Sequence, residues 1–495
     1  MQIQKIVMEK LRNIFIGIFL VFFAQLTLPI LFEWKINLNF WYIVIAIVLY
    51  FLLVDFKNPE KIARNAFLLI LSFGIVIALI RPVQYALDED SHLENAIGIS
   101  DSFLFEYSDE TISDYDSVFL HDGIRNQANF RGDDYWYNVE HQPSKIAGVP
   151  KSFDNPSFLP GAIGWNIGRL VSNKVYISYY IGRIVNVLTY ALLVFLSIKI
   201  SKVYQKMLYL MGTLPSALYV VSGYHYDYLY YGASLILVAL LTNVLAREEK
   251  ITSKFVVKFQ SLVLLFVFSK FPFVLLGTLL TFLPKEYFAS KKARILGVVS
   301  FFPVILFAVI YSGILNIFNF SGSVTGESPG LGYFLKHPLP IIRTMLSAPE
   351  AILENFIRRP LQYISHDSGL LITAITLIVL SVLFVLILCT RITVPKIWGT
   401  YTVLLMLGIT FLMVYAITGD PRVYNPGNIS VGGVQGRYYY FMICLIPLFL
   451  GNWLNSFIPI IQPSEEVDRK LTVAIQYLLS FLVIFTVSVG FYTQI

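Results

Sequence analysis

Apolar runs recur from one end of the chain to the other, and nearly all of the charge falls between them. A bilayer core of about 30 Å needs roughly 20 helical residues to cross it. Runs of that order lie near 12–32, 38–55, 65–81, 177–200, 205–222, 226–246, 293–317, 370–389, 397–418, 436–458 and 471–490. They predict an all-α polytopic membrane protein with about 11 full transmembrane helices. The first run follows a short basic stretch (Lys5, Lys10, Arg12), shows no small-residue cleavage site and leads straight into another run. It reads as a retained helix rather than a signal peptide.

One stretch does not fit a single span. Residues 259–283 are apolar but carry Ser269-Lys270-Phe271-Pro272 in their middle, and a proline breaks a helix there. A straight helix would also carry Lys285, Lys291, Lys292 and Arg294 to the far side. Two short helices that enter and return keep these bases with the others. Such a break is tolerated at membrane depth where protein or a wet cavity surrounds it. Lys57, Lys61 and Arg64, then Lys199, Lys202 and Lys206, then Arg247, Lys250, Lys254 and Lys258 all mark the cytoplasmic face, with the N-terminus on it. The chain divides into N-terminal helices (1–81), a large exterior loop (82–176) and a helical core (177–495) with further exterior loops at 318–369 and 419–435. The large loop holds fifteen acids against six bases, about half of the 31 acids in the chain. A loop this long without a span of its own is uncommon unless it has a function.

Composition narrows the class. Of 495 residues, 56% are hydrophobic and 14% charged, against roughly 25% charged in soluble chains. That excludes a water-soluble globule and a disordered chain. Cys389 and Cys444 both lie in apolar runs, which removes a disulfide framework and a cysteine metal cluster. The net charge of +6 is spread over the loops and is no nucleic-acid patch.

Candidate chemistry gathers at the exterior ends of the spans. Asp88-Glu89-Asp90-Ser91-His92 follows the third span by a few residues. Crowded carboxylates raise one another's pKa, which suits a general base, and with the imidazole they also offer a metal site. The plainer reading is a solvated acidic collar. Gly432-Gly433-Val434-Gln435-Gly436-Arg437-Tyr438 stands where an exterior loop becomes a span. Glycines let a ligand approach the backbone, and helix-start N–H groups beside an arginine bind anions. The alternative there is a turn with a snorkelling arginine. Asp227, in Gly223-Tyr224-His225-Tyr226-Asp227, is either an acid facing the bundle or a helix cap. Lys270 either faces the same cavity or satisfies carbonyls that Pro272 frees. Tyr135-Trp136-Tyr137 suits stacking on a sugar or the core of a small loop fold. Spans nearly free of mid-membrane charge lack the groups that ion-coupled transport usually needs.

In this order the motifs resemble one family, the bacterial membrane proteins of domain of unknown function 2142, which is similar to the type C glycosyltransferases. Its Asp-Glu-x-x-His signature is matched by Asp88, Glu89 and His92, with Ala86, Leu87 and Asp90 where prolines are usual. Its Pro-rich lead into a membrane-edge helix and the Gly-Arg pair of the next span are matched by Asn155-Pro156-Ser157-Phe158-Leu159-Pro160, Gly168-Arg169 and Gly182-Arg183. Asp227 and Lys270-Phe271-Pro272 fall in order, and residues 433–438 match its Gly-Val-Gln-Gly-Arg-Tyr motif. The resemblance runs from about residue 82 to 445; Ser365-His366-Asp367 stand where a Gly-Trp segment is expected, and the first two spans are an addition before the shared core.

The resemblance implies a type C glycosyltransferase-like helical fold that takes sugar from a polyprenyl-phosphate donor to a surface glycan acceptor. On that scheme Asp88 or Glu89 deprotonates the acceptor, and Arg437, helped by Arg183 or Lys270, stabilises the leaving polyprenyl phosphate. His92 orients the acid or binds donor, and Asp227, Gln435 and Tyr438 complete the substrate site. No cofactor is called for, and a divalent metal at the acids stays open. The implied partners are the lipid-linked sugar, the glycan acceptor and the bilayer, with no nucleic acid; the implied location is a bacterial plasma membrane. Two other classes compete. A transporter or flippase of lipid-linked glycan calls for charges along a path through the bundle and a repeated half, and the sequence carries neither. A non-catalytic membrane subunit of a glycan assembly complex would tolerate neutral residues at 88 and 89.

Overall fold

The computed structural model describes residues 2–32, 40–81, 88–103, 137–138, 140–141, 155–317, 329–358, 369–390, 392–454, 456–457 and 464–493. Among these the chain is built of helices, without a β-strand. In order they are α1 (Gln2–Phe22, continued through a π turn to Phe32), α2 (Trp41–Leu53), α3 (Ile62–Ile80), α4 (Glu89–Phe103), α5 (Leu159–Val171), α6 (Val175–Ile200), α7 (Gln205–Gly212), α8 (Pro215–Val221), α9 (Asp227–Leu245) and α10 (Ser253–Leu264). They continue with α11 (Lys291–Val299), α12 (Phe301–Ile317), α13 (Leu331–Lys336), α14 (Leu339–Leu346), α15 (Ala348–Ile352), α16 (Gly369–Cys389), α17 (Lys396–Ile417), α18 (Tyr440–Leu454) and α19 (Glu465–Thr493).

Among the described residues eight helices are long and apolar enough to cross a membrane: Ile6–Leu31, Pro59–Ile80, Val175–Ile200, Asp227–Leu245, Lys291–Ser312, Leu370–Cys389, Lys396–Ile417 and Glu465–Val489. This is a multi-pass membrane protein. Three of the runs expected as full spans take other forms. Among the described residues of 38–55, the helix is Trp41–Leu53, about 20 Å at 1.5 Å per residue. The run 205–222 is cut into α7 and α8 at Pro215, which has no N–H to donate back and crowds the preceding turn. The run 436–458 opens on a 3-10 turn, and its α-helix is 15 residues long.

The stretch 259–283 is an interrupted pair. α10 tightens into a 3-10 turn, Leu265–Phe268, breaks at Ser269 and Lys270, and continues as 3-10 turns over Phe271–Leu280. The two arms begin and end together: Ile251 N–H donates to the Tyr287 carbonyl and Ala289 N–H to that of Ile251, both at 2.9 Å. Lys270 is therefore at the tip of a hairpin, and Lys285 returns to the end where Arg247 and Lys250 lie. That same end gathers the close of α6, since Asn243 Nδ2 donates to the Ile200 carbonyl at 2.9 Å.

α9 is enclosed on all sides, with all but one of its side chains buried, so it carries no amphipathic stripe. Around the opposite end from the lysines lie short helices that are apolar outward. α5 exposes Ile163, Ile167, Leu170 and Val171, spaced as one helical face; α14 does the same with Leu339, Ile342 and Leu346. Both patterns suit a helix lying along a membrane boundary. Asn155 starts the turn before α5 by accepting the Ser157 N–H, with Pro156 at the first helical position.

α5 and α6 form a tight hairpin. A side chain on Gly168 would strike the backbone of Ser178, and a Cβ on Gly182 would overlap the Tyr224 hydroxyl. Gly182→Ala is therefore expected to destabilise the protein by about 3 kcal/mol, the upper end of overpacking costs. Gly408→Ala, which meets nothing within 4 Å, serves as control. Thermal unfolding midpoints in detergent check this, and equal midpoints for the two variants would refute the packing account.

Candidate functional site

The chain entering α4 separates the two adjacent acids. Asp88 has φ 53°, a left-handed conformation that aspartate tolerates better than most residues. Its carbonyl accepts the His92 N–H at 3.1 Å and starts the helix. Its carboxylate is 65% exposed, while that of Glu89 is fully buried.

Glu89 is spent on the scaffold. Arg183 Nε donates to Oε1 at 2.8 Å and Nη2 to Oε2 at 2.6 Å, a bidentate pair, and Tyr224 N–H adds a bond to Oε1 at 3.0 Å. Arg183 Nη1 holds the carbonyls of Ala78 and Arg81 at 2.9 and 3.0 Å. Burial would raise this carboxyl's pKa, but the Arg183 charge and hydrogen bonds overcome it and hold Glu89 below the ordinary glutamate range. Arg81 is also buried, donating to the Tyr219 carbonyl with its guanidinium 3.9 Å from that ring.

Asp227, the first residue of α9, is the centre of a second group and is fully buried. Lys270 Nζ lies 3.0 Å from its Oδ1 and Arg437 Nε 3.3 Å from its Oδ2. Arg437 also reaches out, with Nη2 3.5 Å from Asp88 Oδ2. One guanidinium thus joins the buried acid to the exposed one. Lys270 Nζ donates to Tyr226 OH at 3.1 Å and sits between the rings of Tyr226 and Tyr438, at 4.5 and 4.3 Å. His92 packs on His225 at 4.3 Å and on Tyr226 at 4.9 Å. Burial, aided by the Arg437 charge, pushes the His92 imidazole down to about 4, so it is neutral at pH 7. His225 Nδ1 accepts the Asp227 N–H at 2.9 Å, which fixes its proton on Nε2.

Among the described residues, Asp88, Glu89 and Asp227 lie with Arg81, Arg183, Lys270 and Arg437. Arg437 Nη1 and His225 Nε2 are buried donors without a hydrogen-bond partner, and Gln435 Oε1 is a buried acceptor without one. Unmet buried donors are uncommon and call for a ligand or water. Among the described residues no three of His, Cys, Asp and Glu converge as metal ligands.

The turn Gly436–Tyr439 has a second side. A Cβ on Gly436 would overlap the Ala351 carbonyl, so only glycine lets this turn seat against α15. Beyond it an apolar groove of about 650 Å³ is lined by Met345, Ile352, Met406, Tyr439, Met442 and Ile446, among others. Arg437 thus faces the acids, and Tyr439, two residues on, faces the groove.

Sequence reasoning picked out Asp88, His92, Asp227, Lys270, Arg437 and Tyr438, and the fold brings them together. Glu89 and Arg183 meet one layer away, as partners of each other. Arg81, His225 and Tyr226 were missed as site members; an arginine closing the third span beside the acids was the available signal for Arg81. Tyr135, Trp136 and Ser365-His366-Asp367 lie outside the described residues, as does most of 82–154; Tyr137 is exposed, its ring 5.3 Å from Tyr176.

An all-helical, multi-pass bundle with a charged layer at one end defines a polytopic membrane protein. The chain belongs to the DUF2142 family of predicted membrane proteins, whose model matches residues 71–446, three quarters of its length. The match begins within α3, which leaves α1 and α2 outside it. No curated protein and no solved structure matches the chain.

Stability should fall on acidification, in two stages. The unfolded chain protonates histidine near 6.5, whereas folded His92 resists until about 4, so stability declines as pH drops through that window. The Glu89 contribution, present above the ordinary glutamate pKa, is lost only at lower pH, as its depressed folded value is crossed. Unfolding midpoints from pH 8 down to about 2 check both stages. His92→Gln is expected to flatten the upper stage, and an unchanged slope in that variant would contradict the assignment.

Proposed function

We propose that this protein is a membrane glycosyltransferase, similar to the type C enzymes, that moves a sugar from a polyprenyl-phosphate donor to a glycan acceptor at the exterior face. The observation that carries the reading is Arg437: a buried guanidinium with an unpartnered nitrogen, beside an exposed carboxylate and two residues before Tyr439, which lines an apolar groove. An amphiphile with an anionic head fits both sides of that turn. Its phosphate meets Arg437 and Lys270, and its isoprenoid chain takes the groove.

In the transfer, Asp88 accepts the proton of the acceptor hydroxyl as its oxygen attacks the anomeric carbon. The bond from that carbon to the phosphate oxygen breaks, and its electron pair leaves with polyprenyl phosphate. The extra negative charge develops against the Arg437 guanidinium and the Lys270 ammonium. Asp227 positions Lys270 and Arg437 rather than reacting, and Glu89 positions Asp88 through α4. The sign of the lysine clusters at the other end supports an exterior face for this layer and a cytoplasmic N-terminus.

The test is a linkage analysis of surface glycans in the native host, comparing a deletion, the deletion with the wild-type gene, and the deletion with Asp88→Asn at equal membrane levels. Loss of a general base typically costs 10²- to 10⁴-fold, so the Asp88→Asn strain is expected to lack the same sugar as the deletion. Full restoration by Asp88→Asn would overturn this assignment and leave the acid as a solvated collar.

A further inference from the structure

A polar cavity lies at the other end of α3. It has a volume of about 630 Å³ and opens between α1, the turn joining α2 to α3, and Tyr477 of α19. Lys10, Lys57, Lys61 and Arg64 line it, against Glu9 and Asp55, so it carries a surplus of two positive charges. Lys57 pairs with Glu9, and Lys61 Nζ lies 2.7 Å from Asp55 Oδ2. Lys10 and Arg64 are held instead by the last carbonyls of α2: Lys10 donates to Leu52, and Arg64 Nη2 to Leu53 at 3.0 Å. Helix ends leave such carbonyls without an internal partner, so these two cations are fixed at the wall without being neutralised. An ammonium has three donors and a guanidinium five, more than these bonds use.

The back of the cavity is ordered. Tyr477 OH donates to Glu9 Oε1 at 2.7 Å and accepts from Asn13 Nδ2 at 3.3 Å. Its ring meets Phe56 at 4.3 Å. The rim is greasy: Leu52 and Leu53 are half exposed, and Leu49 extends their strip one turn along α2. Depth gives an independent indication. The 19 residues of α3 rise about 28 Å, close to the roughly 30 Å of a hydrocarbon core. Arg81, at its far end, joins the Asp88 layer. With that layer at one boundary, this cavity is at the other, at the level of lipid headgroups.

We infer that the cavity binds the phosphate headgroup of an anionic membrane lipid carrying two negative charges, with its chains along Leu49, Leu52 and Leu53. Free phosphate shares the charge but has nothing to lay on that strip. A zwitterionic lipid shares the chains but leaves the surplus uncompensated.

The purified full-length protein in detergent provides the test, using native mass spectrometry and thermal unfolding with cardiolipin, phosphatidylcholine or inorganic phosphate at equal phosphate concentration. Cardiolipin is expected to bind saturably and raise the midpoint, and the other two to do neither. Lys57→Gln with Arg64→Gln should weaken cardiolipin binding at least tenfold, while Lys57→Arg with Arg64→Lys retains it. Should the neutral double variant not fold, the wild type still decides: its cardiolipin affinity must fall at least several-fold between 50 and 500 mM salt. Equal response to phosphatidylcholine or to inorganic phosphate, unchanged binding by the neutral variant, or salt-insensitive binding would each overturn the inference.

Discussion

A glutamate and an arginine, both withdrawn from solvent, hold three parts of the chain at one point. Glu89 brings the start of α4, Arg183 brings α6, and through its remaining nitrogen Arg183 takes the carbonyls that end α3. The Tyr224 N–H closes the set from the turn before α9. Burying two charges is expensive, and the attraction between them offsets that cost only when every donor and acceptor is met. Here the bidentate geometry and the backbone bonds meet that condition. Removing one partner leaves a bare charge in the bundle, at about 3–5 kcal/mol. The pair therefore fixes position more than it adds stability.

What it positions is a layer with the opposite character. Asp88 is exposed and held in a left-handed conformation, a state retained where the surroundings demand it. Asp227 supplies a buried negative charge to keep Lys270 and Arg437 charged and in place, and their donors are not all used. The Glu89–Arg183 pair is closed by its mutual and backbone bonds, whereas Arg437 keeps a buried nitrogen without a hydrogen-bond partner. That contrast is why the adjacent residues 88 and 89 have separate parts here.

Much of this was legible in the chain. Runs of about twenty apolar residues can only be helices in a bilayer, and Lys270-Phe271-Pro272 announced the break that became the hairpin tip. The runs at 38–55 and 205–222 take shorter helical forms than a full span for local reasons: among its described residues the first is helical over Trp41–Leu53, and the second contains Pro215, which apolar character conceals. The division of labour between Asp88 and Glu89 was not legible. Successive residues at a helix start diverge by about 100°, and the deciding partner, Arg183, lies 94 positions away. The joining of Asp88 to Arg437 depends likewise on packing between distant segments. The apolar groove arises from α14, α15, α17 and α18 together, and no single stretch encodes it.

The account rests on Arg437 being kept for a phosphate carried on a lipid. The most direct measurement is binding of a polyprenyl phosphate and of the matching polyprenol to the purified protein in nanodiscs, for the wild type and for Arg437→Gln. Preference for the phosphate by at least tenfold in the wild type, lost in the variant, is the predicted result. Equal binding of alcohol and phosphate by the wild type, or an undiminished preference in the variant, would contradict it.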